Sequence, residues 1–170
     1  MNIEVRAYEP ADVPAMTAIW NEVVEDGVAF PQTEPLAADE AEAFFAGQTF
    51  TGVAADRDTG EVLGLYTLHP NNIGRCGHLC NASYAVASAA RGQRVGERLV
   101  THCLVQAPLY GFKILQFNAV VASNEAAQHL YESMGFTKVG MIPGGFINGL
   151  GGYEDMFVYY IDTLDTAQPC

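Results

Sequence analysis

Arg91-Gly-Gln-Arg-Val-Gly96 joins a strand-like run, Asn81-Ala-Ser-Tyr-Ala-Val86, to a segment of helical periodicity. A helix that opens from such a turn leaves its first N–H groups unpaired and aimed one way, and the helix dipole adds to their pull on an anion. Gly92 and Gly96 permit close approach of a bulky anion, and Arg91, Arg94 and Arg98 bring positive charge beside it. This chemistry suits a pyrophosphate, the anchor of a nucleotide-like cofactor. A glycine-rich turn alone is weak evidence. It is strengthened by Asn124-Glu-Ala-Ala-Gln-His-Leu-Tyr-Glu-Ser-Met-Gly-Phe136. There Asn124 is a helix cap, and Tyr131 lies two turns further along the same face.

The chain is acidic: its 170 residues carry a formal net charge of −12, with 20 Asp and Glu against 8 Lys and Arg. Binding along a phosphate backbone needs a basic surface, which argues against a nucleic-acid partner. A polyanionic cofactor must then be held locally, and Arg91, Arg94 and Arg98 cluster at the glycine loop. Met1-Asn-Ile-Glu-Val-Arg6 lacks the layout of a signal peptide, and no apolar run reaches the ~18 residues of a spanning helix. The expectation is a cytoplasmic protein with no membrane partner and reduced cysteines. Cys76, His78 and Cys80, with His69 upstream, raise the question of a metal. On a strand the three would share one face, awkward for a single ion, and no paired Cys-x-x-Cys exists, so the expectation is no metal.

Ile3 to Tyr8 alternates as a strand, and Val13, Met16, Ile19, Trp20, Val23 and Val24 mark a helix within residues 10–25, with Asp12 as its N-cap. A second helix runs from Leu36 to Gly47. Strands over 50–55 and 62–68 flank the turn Asp56-Arg-Asp-Thr-Gly-Glu61, His69 to Arg75 reads as a loop, and 77–87 as a strand. A helix from Val95 to Tyr110, a strand from Lys113 to Val121 and a helix from Glu125 to Met134 follow. Thr137 to Gly140 is a short strand, 143–152 a Gly-rich loop, and Tyr153 to Ile161 a final strand. These elements predict one α/β (α+β) domain over 1–162, a mixed central sheet of about seven strands with about four helices, and a frayed tail at 163–170.

This order of elements resembles the GNAT fold of acetyl-CoA-dependent N-acetyltransferases. Arg91-Gly-Gln-Arg-Val-Gly96 is similar to the family's pyrophosphate loop, Gln/Arg-x-x-Gly-x-Gly/Ala, with Arg94 at the place of its middle glycine. Asn124…Ala127…Leu130-Tyr131-Glu132…Gly135-Phe136 is similar to its second signature. The resemblance implies acetyl-CoA as cofactor. It would be held by Arg91, Gly92, Gln93, Arg94, Val95, Gly96 and Glu97, by the strand Tyr84-Ala85-Val86, and by Asn124, Ala127 and Tyr131. Backbone donation at Arg94 survives its side chain provided φ stays negative. A narrower resemblance lies upstream, where His69 to Val86 is similar to the fungal acetyltransferases that detoxify L-azetidine-2-carboxylate and related proline analogues. Three asparagines carry that subgroup's site, and they match Asn81, Asn118 and Asn124. The resemblance implies that Asn81 and Asn118 hold the imino acid group and Asn124 contacts the pantetheine. Family members often dimerise through their last strands, so a homodimer is expected; aromatics in Phe157-Val-Tyr-Tyr160 are compatible with it.

Acyl transfer to an amine needs a neutral nitrogen, a stabilised carbonyl oxygen, a departing thiolate and reactants held together. Backbone N–H groups of Tyr84-Ala85-Val86 either receive the thioester and pantetheine as an added strand or belong to an ordinary ladder. Tyr131 is either a general acid for the sulfur or a packed core tyrosine. Asn81 stands where many of these enzymes carry an acid, and an amide cannot serve as a base. No acid lies between Glu61 and Glu97, so the amine proton would leave through solvent or through a carboxylate such as Glu154 or Asp155. Asn118, in the apolar run Ile114 to Val121, needs a partner if buried. Phe30 and Tyr153 are candidate walls of the acceptor pocket. No histidine has a paired Ser or Cys pattern, and Cys80 and Cys103 have no visible activating partner, which favours direct transfer in a ternary complex. The expected substrate is a small amino or imino acid, a proline analogue first. The alternatives are another small amine (toxin, antibiotic or polyamine) and a non-catalytic acyl-CoA sensor.

Overall fold

The computed structural model describes residues 2–164. Its strands are β1 (Ile3–Ala7), β2 (Phe50–Asp56), β3 (Val62–Pro70), β4 (Leu79–Val86), β5 (Ile114–Val121), β6 (Thr137–Ile147) and β7 (Tyr153–Asp162). They form one sheet in the order β1-β2-β3-β4-β5-β7-β6, antiparallel throughout except for the parallel β4–β5 pair. Helices α1 (Val13–Asp26) and α2 (Ala38–Ala46) cover one face, and α3 (Val95–Leu109) and α4 (Glu125–Ser133) the other. This is the mixed α/β architecture the sequence predicts.

Strand alternation builds the two cores. Leu65 and Ala85, directly opposite each other, face Trp20, Phe30 and Phe45 under α1 and α2, while their neighbours Tyr66 and Tyr84 face Leu99 and Cys103 of α3. Phe117, Phe136 and Tyr159 extend the second core beneath α4.

The functional consequence of the sheet lies at its centre. β4 and β5 pair only at Leu79–Ile114 and Cys80–Leu115, and from there they part. The bonds Asn71 N to Leu79 O and Ala87 N to Leu63 O show that odd-numbered residues of β4 turn their backbone groups toward β3. The backbone groups of Ala82, Tyr84 and Val86 therefore face the gap. Across it, β5 carries a bulge between Phe117 and Val120.

Four expectations need correction. Residues 69 and 70 extend β3 rather than opening a loop. The missing N–H of Pro70 costs nothing there, because it points to the side where β2 has already ended at Phe50, opposite Leu68. β6 continues through the Gly-rich stretch to Ile147, with register shifts at Lys138/Gly140 and Ile142/Phe146. The glycines serve those shifts: Gly144 has φ 60°, and a Cβ on Gly145 would meet Met156 at 2.9 Å. Asp12 takes the N-cap position of α1 but makes no capping bond to the helix; its carboxylate instead accepts Arg6 Nη1 at 2.7 Å and the Glu9 N–H at 2.8 Å. Thr163, placed by the sequence in a frayed tail, is fully buried, with its Oγ1 donating to Phe112 O at 3.0 Å. Residues 165–170 of that tail lie outside the described residues.

Candidate active site

A cavity of about 550 Å³ passes through the gap between β4 and β5. Ala29, Phe30, Pro31 and Gln32, from the α1–α2 connection, line one end. Asn124, Ala127, Leu130 and Tyr131 of the α4 layer, with Gly96 of α3, line the other. Asn81, Ser83, Tyr84 and Val86 of β4, residues 117–121 of β5, and His69 wall the passage between them.

At the α3–α4 end the chemistry is that of backbone. The N–H groups of Tyr84 and Val86 face the gap, whereas Ala85, grouped with them by the sequence, turns its backbone toward β3 and its side chain into the α1–α2 core. The loop before α3 turns through Gly92 at φ 79° and Arg94 at φ 62°. Arg94 is the one non-glycine residue with positive φ among the described residues, contrary to the expected negative φ. A left-handed residue directly ahead of a helix is a turn in which successive backbone N–H groups can form an anion-binding nest. The loop's cations are occupied by acids. Arg94 grips Glu97 through Nε and Nη2, each at 2.7 Å, and Arg91 meets Asp26 of α1 at 2.8 Å. Gln93, Arg94, Glu97 and Arg98 line a second hollow of about 380 Å³ next to Ile3, and Val95 is buried beneath the loop.

Asn124 caps α4, its Oδ1 accepting the Ala127 N–H at 3.2 Å. The Tyr131 ring packs 4.4 Å from Phe117 and 5.4 Å from Phe136, ring centroid to centroid. Burial pushes its hydroxyl well above the usual phenol range, so it stays protonated and can only donate or share that proton. Tyr84 OH is buried without a hydrogen-bond partner, close to the Cys103 thiol. Burial raises Cys80 and Cys103 to about 12 each, and neither lines the cavity. A thiolate nucleophile is thereby disfavoured.

The α1–α2 end is built from side-chain amides. Asn81 Oδ1 accepts the gap-facing N–H of Ala82 at 2.8 Å, which leaves Nδ2 as the amide's free donor. Asn118 sits in the β5 bulge and is exposed. Its Oδ1 accepts Asn71 Nδ2 and Gln116 Nε2, each at 3.0 Å, and its Nδ2 donates to Asn71 Oδ1 at 2.6 Å. Phe30 lies 4.4 Å from Trp20, ring to ring, and lines the cavity.

Tyr153 does not: it is 76% exposed, paired with Ile147 in the β6–β7 hairpin, beyond the stretch of β7 that meets β5. Glu154 and Asp155 also serve that hairpin, accepting from Asn148 Nδ2 at 2.8 Å and the Gly144 N–H at 2.9 Å, and neither lines the cavity. Cys76 is exposed in a short turn while Cys80 is buried on β4, so Cys76, His78 and Cys80 do not share a strand face.

The structure adds His69, Ser83, Gln32 and Asn71 to the residues the sequence singled out. Only His69 carried a usable signal. Two and four residues beyond Thr67 and Leu65, it continues the alternation of a strand, and the hairpin register places it opposite Asn81. Asn71 and Asn118 are 47 residues apart, and no local pattern joins them.

Residues 16–136 match the sequence profile described as the acetyltransferase (GNAT) family. The chain is 32% identical over 160 residues to N-acetyltransferase aca1 of Schizosaccharomyces pombe, covering 85% of this chain and 77% of that protein. The solved structure of a GCN5-related N-acetyltransferase from Kribbella flavida is similar at TM-score 0.85 and 35% identity, over 94% of this chain and 97% of that one. A GNAT superfamily phosphinothricin acetyltransferase from Sinorhizobium meliloti, solved with acetyl-CoA, shares the fold at TM-score 0.86 and 22% identity, over 95% of this chain and 89% of that one.

Proposed function

Since the chain belongs to the acetyltransferase (GNAT) family, we propose that it transfers acetyl from acetyl-CoA to the nitrogen of a small amino or imino acid, a proline analogue being the favoured acceptor. The observation that carries this reading is the cavity through the sheet, with unpaired strand N–H groups at one end and amides at the other. When bound, acetyl-CoA supplies an activated acyl carbonyl and a sulfur leaving group.

The Tyr84 and Val86 N–H groups receive carbonyl oxygens of the cofactor arm as a missing neighbouring strand would. The α3 loop presents Gly92, Gln93, Arg94, Val95, Gly96 and Glu97 backbone to the pyrophosphate, and Asn124 and Ala127 border the arm. Tyr131 donates its proton to the departing sulfur. Asn81 Nδ2 and Asn118 Nδ2 are donors suited to the acceptor's carboxylate. Asn118 takes up the substrate by releasing Asn71. Phe30 closes the pocket. With both nearby thiols pushed up to about 12, direct attack in a ternary complex is favoured over a covalent route. Acetylation of the ring nitrogen would disarm a toxic imino acid. The free thiols of Cys76, Cys80 and Cys103 accord with a cytoplasmic location. The apolar residues exposed on the β6 edge, Val139, Met141 and Ile142, accord with a homodimer.

A cationic amine is the second reading, favoured by the net charge of −12. Thiol release from acetyl-CoA, followed across L-azetidine-2-carboxylate, cis-4-hydroxy-L-proline, L-proline, a polyamine and an aminoglycoside, tests both. Turnover confined to the imino acids is expected. Turnover of the cationic amines alone overturns the acceptor, and cofactor binding without any turnover points to an acyl-CoA sensor.

A further inference from the structure

We infer that His69 is the base that takes the proton from the acceptor's ammonium. The cavity that holds the reaction contains no carboxylate, lysine or arginine among its lining residues. Its titratable members are His69, Tyr84 and Tyr131, and burial holds both phenols in the neutral, protonated form. The α1–α2 segment contributes Ala29 to Gln32, β4 contributes Asn81 and Ser83, and β5 contributes Phe117 to Val121, none of them charged. The His69 imidazole is the one side chain in this wall that offers a basic nitrogen lone pair.

Placement supports the role. His69 is the register partner of Asn81 on β3, so the two side chains stand side by side on the same sheet face, at the acceptor end. Its Nδ1 lies 3.1 Å from Pro70 O. A carbonyl only accepts, so Nδ1 carries the hydrogen, and Nε2 is left with its lone pair as the basic atom. The same carbonyl then stabilises the imidazolium, as a carboxylate does in a catalytic triad.

The step balances as follows. The ammonium of the acceptor gives one proton to Nε2 and becomes a neutral amine. Its nitrogen lone pair forms the new C–N bond to the acetyl carbon, and the C–S bond breaks. Tyr131 supplies a proton to the sulfur and regains one from the nitrogen, directly or through water, and His69 releases its proton to solvent. Each turnover yields one acetylated amine, one free thiol and one proton.

This rests on the acceptor being an amine that arrives protonated, not on which amine it is. The test therefore uses whichever member of the panel the native protein turns over, so failure of the imino-acid reading leaves it intact. His69→Gln should lower kcat/KM by ~10²-fold at neutral pH. The deficit should shrink as pH rises and the acceptor loses its proton to solvent unaided, while acetyl-CoA affinity measured by calorimetry stays that of the native protein. A deficit of equal size at every pH, or none at all, overturns the assignment. Independently of any acceptor, long-range ¹⁵N–¹H correlation spectra of the native protein should show His69 as the Nδ1–H tautomer, identified by the loss of its signals in the variant. Finding the hydrogen on Nε2 also overturns it.

Discussion

The two ends of the cavity are made of different materials. The α3–α4 end is defined by main chain: the open edge of β4, the turn through Gly92 and Arg94 anchored by buried Ala90 and Val95, and the cap at Asn124, with the rings of Phe117, Tyr131 and Phe136 packed together nearby. The α1–α2 end is defined by side chains that come from three separate stretches of chain, Asn71 bonded to Asn118 and His69 standing beside Asn81. Main chain fits what every family member shares, the cofactor. Side-chain amides can be exchanged without disturbing a strand, so the proposed function puts specificity for the acceptor there. Substitutions should divide accordingly.

The largest effect is expected at the α3–α4 end. Tyr131→Phe should lower kcat by ~10²-fold with little change in acetyl-CoA affinity; an unchanged kcat would reduce the residue to packing. Next comes Asn118→Ala, which should lower kcat/KM for the acceptor ~30-fold, the loss expected for a hydrogen bond to a charged group. Calorimetry with acetyl-CoA separates the ends: a large fall in cofactor affinity would place Asn118 on the wrong one. Asn71→Ala, which touches Asn118 but does not line the cavity, should cost about 5-fold in kcat/KM, the value of a neutral hydrogen bond; an effect as large as that of Asn118→Ala would mean that Asn71 itself meets the acceptor. The smallest change tests the main-chain end. Arg94→Gly should raise stability by about 0.5 kcal/mol in thermal or urea unfolding, because relief of the left-handed strain slightly exceeds the added freedom of the unfolded chain. Acetyl-CoA affinity should fall less than threefold, since the guanidinium is tied to Glu97. A tenfold loss would show that Arg94 leaves Glu97 for a phosphate.

The same division explains what the sequence made legible. Backbone-built features need glycines, caps and alternation in one contiguous stretch, so the α3 loop, the Asn124 cap and strand β4 were readable from residues 81–96 and 124–136, though not that β4 parts from β5. At the acceptor end, Phe30 was readable from its place after the first helix, and Asn81 and Asn118 only where resemblance pointed to them. Tyr153 was misplaced because β6 runs through its glycines to Ile147 and carries Tyr153 out to the hairpin. His69 was hidden by the adjacent proline, a loop signal that holds only while the strand has a neighbour on both sides; here β2 has already ended. Arg94 shows the reverse limit: a motif position can keep its backbone geometry while losing its glycine.

The bond from the Ala82 N–H to Asn81 Oδ1 has a consequence of another kind. A sheet that opens in its middle exposes ladder groups able to recruit any extended segment, including one from a neighbouring copy. By folding its amide back onto the first gap-facing N–H after the strands part, Asn81 stops the ladder from zipping onward. An unliganded molecule is thereby less prone to self-association through this slot, and replacing Asn81 by an aliphatic residue would remove that stopper.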